Sequence, residues 1–242
     1  METKSEDFKY PTIEERKIAN SILPKFSSFE FEYQSGIALI FNLELSPKEI
    51  EKRANLFYWD ICLRNKFGKL RETYIYLLTN YYRGFNDDYS NSTSSVDSIN
   101  HFLFDYYSEI FYYYYYSSID IILQIINLYY TIGISEMKIR LNDEFLKKIK
   151  DKDVNKLLNT FKENTKEASE LRNSYTHRFT PNLPENRIYV TEEFDGRKLV
   201  GKGNISDSQK LTNDMKMILE ELSSLTTKLK ENFKAAPAGA GL

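Results

Sequence analysis

From Val96 to about Ile132 the chain offers no polar face. From Ile110 onward this stretch carries a single charge, Asp120, and it contains the run Ile110-Phe111-Tyr112-Tyr113-Tyr114-Tyr115-Tyr116. A helix apolar nearly all round must be enclosed, by a membrane or by other protein. A bilayer would place Asp120, Gln124 and Asn127 in hydrocarbon and five tyrosines at its centre, where both are disfavoured. The reading that remains is the central helix of a bundle, or one that also meets a second subunit. Gly133 is its expected C-cap.

The flanking sequence supplies helices for such a bundle. Thr12-Ile13-Glu14-Glu15 starts like a capping box, and a short helix should run to about Leu23, before Pro24. Ser46-Pro47-Lys48-Glu49 places Ser at the N-cap and Pro at the first helical position. The helix that follows should bury Ile50, Ala54, Phe57, Tyr58 and Ile61, be interrupted near Gly68, and end near Gly84. The polar stretch Asn86–Ser95 reads as a solvated connector. Asn142 and Asp143 can cap a helix carrying Phe145, Leu146 and Ile149. Another should run from about Asp153 through Leu157, Leu158, Phe161, Ala168 and Leu171 into residues 170–179, with Pro181 and Pro184 ending it. A last helix, from Ser206 to about Phe233, carries Leu211, Met215, Ile218, Leu222 and Leu229.

Two places break the helical period. Phe29, Phe31 and Tyr33 alternate with Glu30 and Glu32, and alternation resumes after Gly36, which reads as a β-hairpin; Ala38–Phe41 also fits a helix. Arg187–Thr191 and Lys198–Val200 flank Asp195-Gly196, a strong hairpin signal. Residues 1–10 are expected to lack structure. Residues 11–45 hold the short helix and first hairpin, and 46–233 form one helical domain with a hairpin near 187–200. Residues 234–242, rich in Ala, Gly and Pro, read as a cloning tail.

Charge and composition narrow the function. With 35 acidic against 33 basic residues the formal net charge is −2, so general nucleic-acid attraction is absent and any such contact needs a local surface. One cysteine, Cys62, excludes an internal disulfide and a cysteine zinc cage; beside Trp59, Ile61 and Leu63 it reads as a buried thiol. A polar, acidic N-terminal stretch fits a cytosolic protein without a membrane association.

The chemistry concentrates in Glu170-Leu171-Arg172-Asn173-Ser174-Tyr175-Thr176-His177-Arg178-Phe179. It holds one of the two histidines. A histidine exchanges protons near neutral pH, and an arginine holds a phosphate and offsets charge growing on its oxygens. Asn173 lies four residues before His177, so both face the same side of a helix. Arg172 and His177 lie five apart, about 140° around, and converge only if the helix loosens there. No carboxylate–histidine metal set accompanies them, and no cofactor is called for. Such a set suits metal-free phosphodiester chemistry on RNA, whose own 2′-hydroxyl can be the nucleophile.

At Arg172-Asn173-Ser174-Tyr175-Thr176-His177 the chain resembles the HEPN superfamily, whose motif is an Arg, usually a polar residue, then a His. Across about 46–233 the likeness is architectural. The resemblance implies a mainly α fold, a HEPN-like helical bundle, here with one or two small β-hairpin additions. It implies homodimers whose two motifs meet in one cleft as a metal-independent endoribonuclease, often a toxin or antiphage effector. By that resemblance Arg172 would hold the scissile phosphate and His177 would move the proton, with Asn173, Tyr175 and Arg178 in support. A toxin subset carries a Tyr two residues after the His, where an antitoxin modifies it. Phe179 stands there instead, which leaves open what regulatory partner the chain has.

Other residues read more plainly. His101 is expected to be a surface or capping residue. The Tyr112–Tyr116 run can pack, form a dimer contact or stack bases. Lys147–Asp153 is a solvated face of mixed charge. Two alternatives to the ribonuclease stand beside it. One is a non-catalytic HEPN-like dimerisation or nucleic-acid-binding module; the other is a scaffold whose likeness is accidental.

Overall fold

The computed structural model describes residues 8–31, 45–88, 92–177, 189–192, 198–201 and 207–235, with backbone alone for 174–177, both strands and 235. Seven α-helices lie among them: α1 Ile13–Ile22, α2 Pro47–Arg83, α3 Ser95–Tyr129, α4 Asp143–Lys148, α5 Lys152–Asn164, α6 Lys166–His177 and α7 Ser208–Ala235. Two short strands, β1 Tyr189–Glu192 and β2 Lys198–Gly201, pair antiparallel with Tyr189 opposite Gly201 and Glu192 opposite Lys198. The turn expected at Asp195–Gly196 lies outside the described residues, as do most of the first hairpin, residues 32–44, and the tail from 236. The protein is mainly helical. No helix among the described residues is long and apolar enough to cross a membrane.

The chain forms two compact units. The first comprises Met1–Leu23, Glu72–Tyr112 and Lys166–Ile218; the second comprises Pro24–Arg71, Tyr113–Thr165 and Leu219–Leu242.

In the first unit, α1 begins with the expected capping box: Thr12 Oγ1 accepts from the Glu15 N–H, and Glu15 accepts from the Thr12 N–H at 2.7 Å. Arg83, in the last turn of α2, pairs with the same Glu15 carboxylate at 2.8 Å and donates to the Lys9 and Tyr10 carbonyls. α2 stops at Gly84, whose φ of 85° only glycine adopts without strain. The connector after it is not merely solvated. The Asp97 carboxylate accepts from the backbone N–H of both Asn86 and Thr93, and Asp87 accepts from the Ser208 N–H at the start of α7. Tyr74, Phe104, Phe111, Leu211 and Met215 are buried here.

In the second unit every residue of α3 from Ile121 to Asn127 is buried, which is why the sequence there has no polar face. Gln124 and Asn127, polar within that stretch, fasten the chain reversal that follows. Asn127 donates to the Ile134 carbonyl at 2.9 Å and accepts from the Ile134 N–H at 3.0 Å, while Gln124 donates to the Glu136 carbonyl at 3.0 Å. The helix ends at Tyr129, ahead of the expected cap. Thr131 (φ 51°) already takes a left-handed position before Gly133 (φ 77°) does, and the Ile132 N–H reaches back to the Asn127 carbonyl.

Three further expectations fail in this unit, each for a local reason. α2 passes through Gly68 without a break. Its buried stripe is Leu56, Asp60, Leu63, Phe67 and Leu70, leaving Tyr58 and Cys62 exposed. The reason is Asp60, only 1% exposed: its carboxylate accepts from the N–H groups of Phe29 (2.8 Å) and Glu30 (3.0 Å) and so fixes the helix's rotation. The same bonds explain why Phe29–Phe31 is not a strand. Glu30 is left-handed (φ 57°), its carboxylate meets Lys230 at 2.6 Å, and Phe29 and Phe31 both pack on Phe233.

Candidate functional site

The helix expected from Asp153 into the Arg172–His177 motif is two helices, α5 and α6, separated by Thr165 alone. The Thr165 backbone (φ −109°, ψ 15°) departs from the helix there, while its N–H and its Oγ1 both donate to the Phe161 carbonyl, at 3.1 and 2.8 Å. α6 then carries the motif. Ala168 is its buried anchor, and Glu167 stands in its first turn. Arg172 is exposed and Asn173 half-buried.

α6 stays helical through His177, its final residue. Five residues of regular helix separate Arg172 from His177 by about 140° and about 7.5 Å of rise. The loosening between them that would bring both groups together in one copy does not occur in the backbone. Asn173 and His177, four apart, lie on one side of α6. Of Tyr175 and His177 the backbone alone is described, and Arg178 and Phe179 lie outside the described residues. The helix therefore brings Asn173 and His177 onto one face and sets Arg172 on another.

The charge environment of the first unit adds one group the sequence did not single out. Burial holds the Asp214 carboxyl of α7 above the ordinary carboxylate range; the Glu167 charge on α6 adds to this and Lys210 opposes it. The signal available was an acid in the apolar-periodic last helix, between Leu211 and Met215. Among the described residues no group of three or more His, Cys, Asp or Glu is placed to hold a metal ion.

The other histidine is not at the surface. His101 is buried, stacked on Phe85 with ring centroids 4.6 Å apart, and its Nε2 lies 3.7 Å from the Asp105 carboxylate. Burial lowers its pKa, against the raising effect of Asp87 and Asp97. Its position one turn inside α3, packed on the connector's Phe85, is a core position. The tyrosine run divides by helical period: Tyr112 and Tyr115 are buried, and Tyr113 is 62% exposed.

A family model described as HEPN_Cthe2314-like HEPN matches residues 59–230, which contain the whole of α6 and its motif. No curated protein and no solved structure matches the chain.

Proposed function

The chain belongs to the HEPN_Cthe2314-like HEPN family, and from that premise we propose that it is a metal-independent endoribonuclease whose active site is assembled from two copies. The observation that carries this reading is the intact Arg172-Asn173-x3-His177 set at the end of α6, inside the matched span. The 140° between Arg172 and His177 supports a composite site, because two copies can present complementary members that one regular helix holds apart.

In the proposed reaction the 2′-oxygen of one nucleotide attacks the adjacent phosphorus. The P–O2′ bond forms, the P–O5′ bond breaks, and the products are a 2′,3′-cyclic phosphate and a 5′-hydroxyl. Neutral His177 of one copy takes the 2′-hydroxyl proton. Solvent water gives a proton to the departing 5′-oxygen, and the Arg172 that faces this His177 comes from the second copy. Arg172 binds the non-bridging phosphate oxygens and offsets their growing charge. Asn173 orients the imidazole on its own face of α6, and Tyr175 and Arg178 belong to the same phosphate-facing surface. The protein acts as a toxin or antiphage effector in the cytoplasm, and with Phe179 in place of a modifiable Tyr its control comes from another kind of partner. The paired strands β1 and β2 are read as a β-hairpin addition to the helical domain.

Arg172→Ala and His177→Ala should each lower RNA cleavage in EDTA by about 10²-fold or more. DNA and 2′-O-methyl RNA of the same sequence should not be cut. Full cleavage by either variant overturns the reading. The net charge of −2 favours the alternative of a non-catalytic binding module. Purified unaltered protein that binds RNA and never cuts it would establish that alternative.

A further inference from the structure

The acidic balance of the whole chain hides a basic section. Between Lys52 and Arg71 stand six basic residues, Lys52, Arg53, Arg64, Lys66, Lys69 and Arg71, against one acid, Asp60. That acid is buried and committed to the Phe29 and Glu30 N–H groups. At its surface this part of α2 therefore presents positive charge only.

Aromatic rings sit with that charge. On α2, Tyr58, Cys62, Asn65 and Lys69 recur at four, three and four residues and are all exposed, forming one stripe. On α3, Tyr113 is the exposed member of the tyrosine run. Lys66 Nζ lies 5.3 Å from the Tyr113 ring centroid and 5.4 Å from that of Tyr114, and Lys69 Nζ lies 5.8 Å from Tyr114. Tyr58 is 57% exposed and stands about 12 Å before Lys66 along the helix. All these residues belong to the second unit. Acids bound the surface: Glu51 seven residues before Tyr58, Glu72 three residues after Lys69, Glu109 one turn before Tyr113 and Asp120 seven residues after it.

We propose that this face of α2 and α3 is a binding platform for single-stranded RNA, on which Tyr113 and Tyr58 stack bases while Lys66 and Lys69 track the phosphates. The proposal rests on the ribonuclease reading for the identity of its ligand. Exposed tyrosines interleaved with lysines, and lacking exposed acids between them, match the alternation of aromatic face and anion in a single strand. Such a platform gives a chain of near-neutral net charge the local attraction for RNA that its overall charge does not provide.

The test uses the whole protein and a short fluorescent 2′-O-methyl RNA oligonucleotide, which lacks the nucleophile, read by anisotropy over a salt series. Tyr113→Ala should weaken binding about tenfold, and Tyr113→Trp should preserve it. Lys66→Ala with Lys69→Ala should flatten the dependence of log affinity on log salt by about 1.4, two phosphate contacts' worth on a single strand. Thermal unfolding should be unchanged, since these side chains lie at the surface. Wild-type affinity and slope in both variants would overturn the platform, as would an absence of RNA binding by the wild type. A change of molecular mass in Tyr113→Ala by light scattering would make the face a protein contact and overturn it too. Cleavage of unmodified RNA separates the two readings: wild-type cleavage with unaffected variants removes only the platform, and weakened variants without any wild-type cleavage remove only the ribonuclease.

Discussion

Burying His101 against Phe85 gives the fold a group that acid can charge. Its pKa lies below the ordinary value of about 6.5 because burial disfavours the imidazolium. The unfolded chain therefore binds a proton at a higher pH than the folded one. The stability the neutral ring contributes is complete above about 6.5 and declines as pH falls from there through the lowered folded pKa. Replacing it in His101→Phe should remove this contribution, so denaturant unfolding across that range should show a shallower acid slope than wild type. An unchanged slope would show that other groups set the acid response. Asp60 is the second residue whose loss should be felt. Asp60→Ala leaves the Phe29 and Glu30 N–H groups without their acceptors, at a cost of about 2–4 kcal/mol in chemical denaturation.

At the scale of elements, the end of α3 concentrates local strain and local compensation. Thr131 is β-branched and left-handed, which disfavours it by about 1–2 kcal/mol relative to glycine. Against that, its hydroxyl accepts from Lys52 Nζ at 3.3 Å, an exposed bond of small worth. Thr131→Gly should therefore raise stability by about 1 kcal/mol, read as a higher denaturation midpoint with an unchanged m-value. A lower midpoint would show that the Lys52 contact outweighs the strain. The same region shows how far the sequence could be read. The enclosed α3, the capping box of α1 and the Ser46-Pro47 start of α2 were legible because each depends on residues close in the chain. Thr131 was hidden behind the stronger glycine signal two residues on. The α2 stripe was misassigned because Asp60 is polar, and its burial depends on N–H groups some thirty residues away. Cys62 followed that error to the surface. Thr165 looks like any helix interior residue, and its hydroxyl takes the Phe161 carbonyl just as Thr79 takes the Ile75 carbonyl inside unbroken α2, so no local sequence signal marks the break. Of the site, the motif and its helix were legible; the convergence of Arg172 and His177 in one copy was conditional on a loosened helix end, and α6 remains regular through His177.

At the scale of the whole molecule, the helical continuity of α6 carries the central claim. A single copy holds Arg172 and His177 on different sides of one helix, so a site that needs both is most simply built from two chains. One measurement tests this directly. Arg172→Ala and His177→Ala proteins, each inactive alone, are mixed, denatured together and refolded, and RNA cleavage is followed in EDTA. The first variant still offers His177 and the second still offers Arg172, so mixed dimers rebuild one complementary pair. The account predicts that cleavage returns in the mixture and not in either variant refolded alone. No recovery, in a mixture shown by native mass spectrometry to contain mixed dimers, would contradict it.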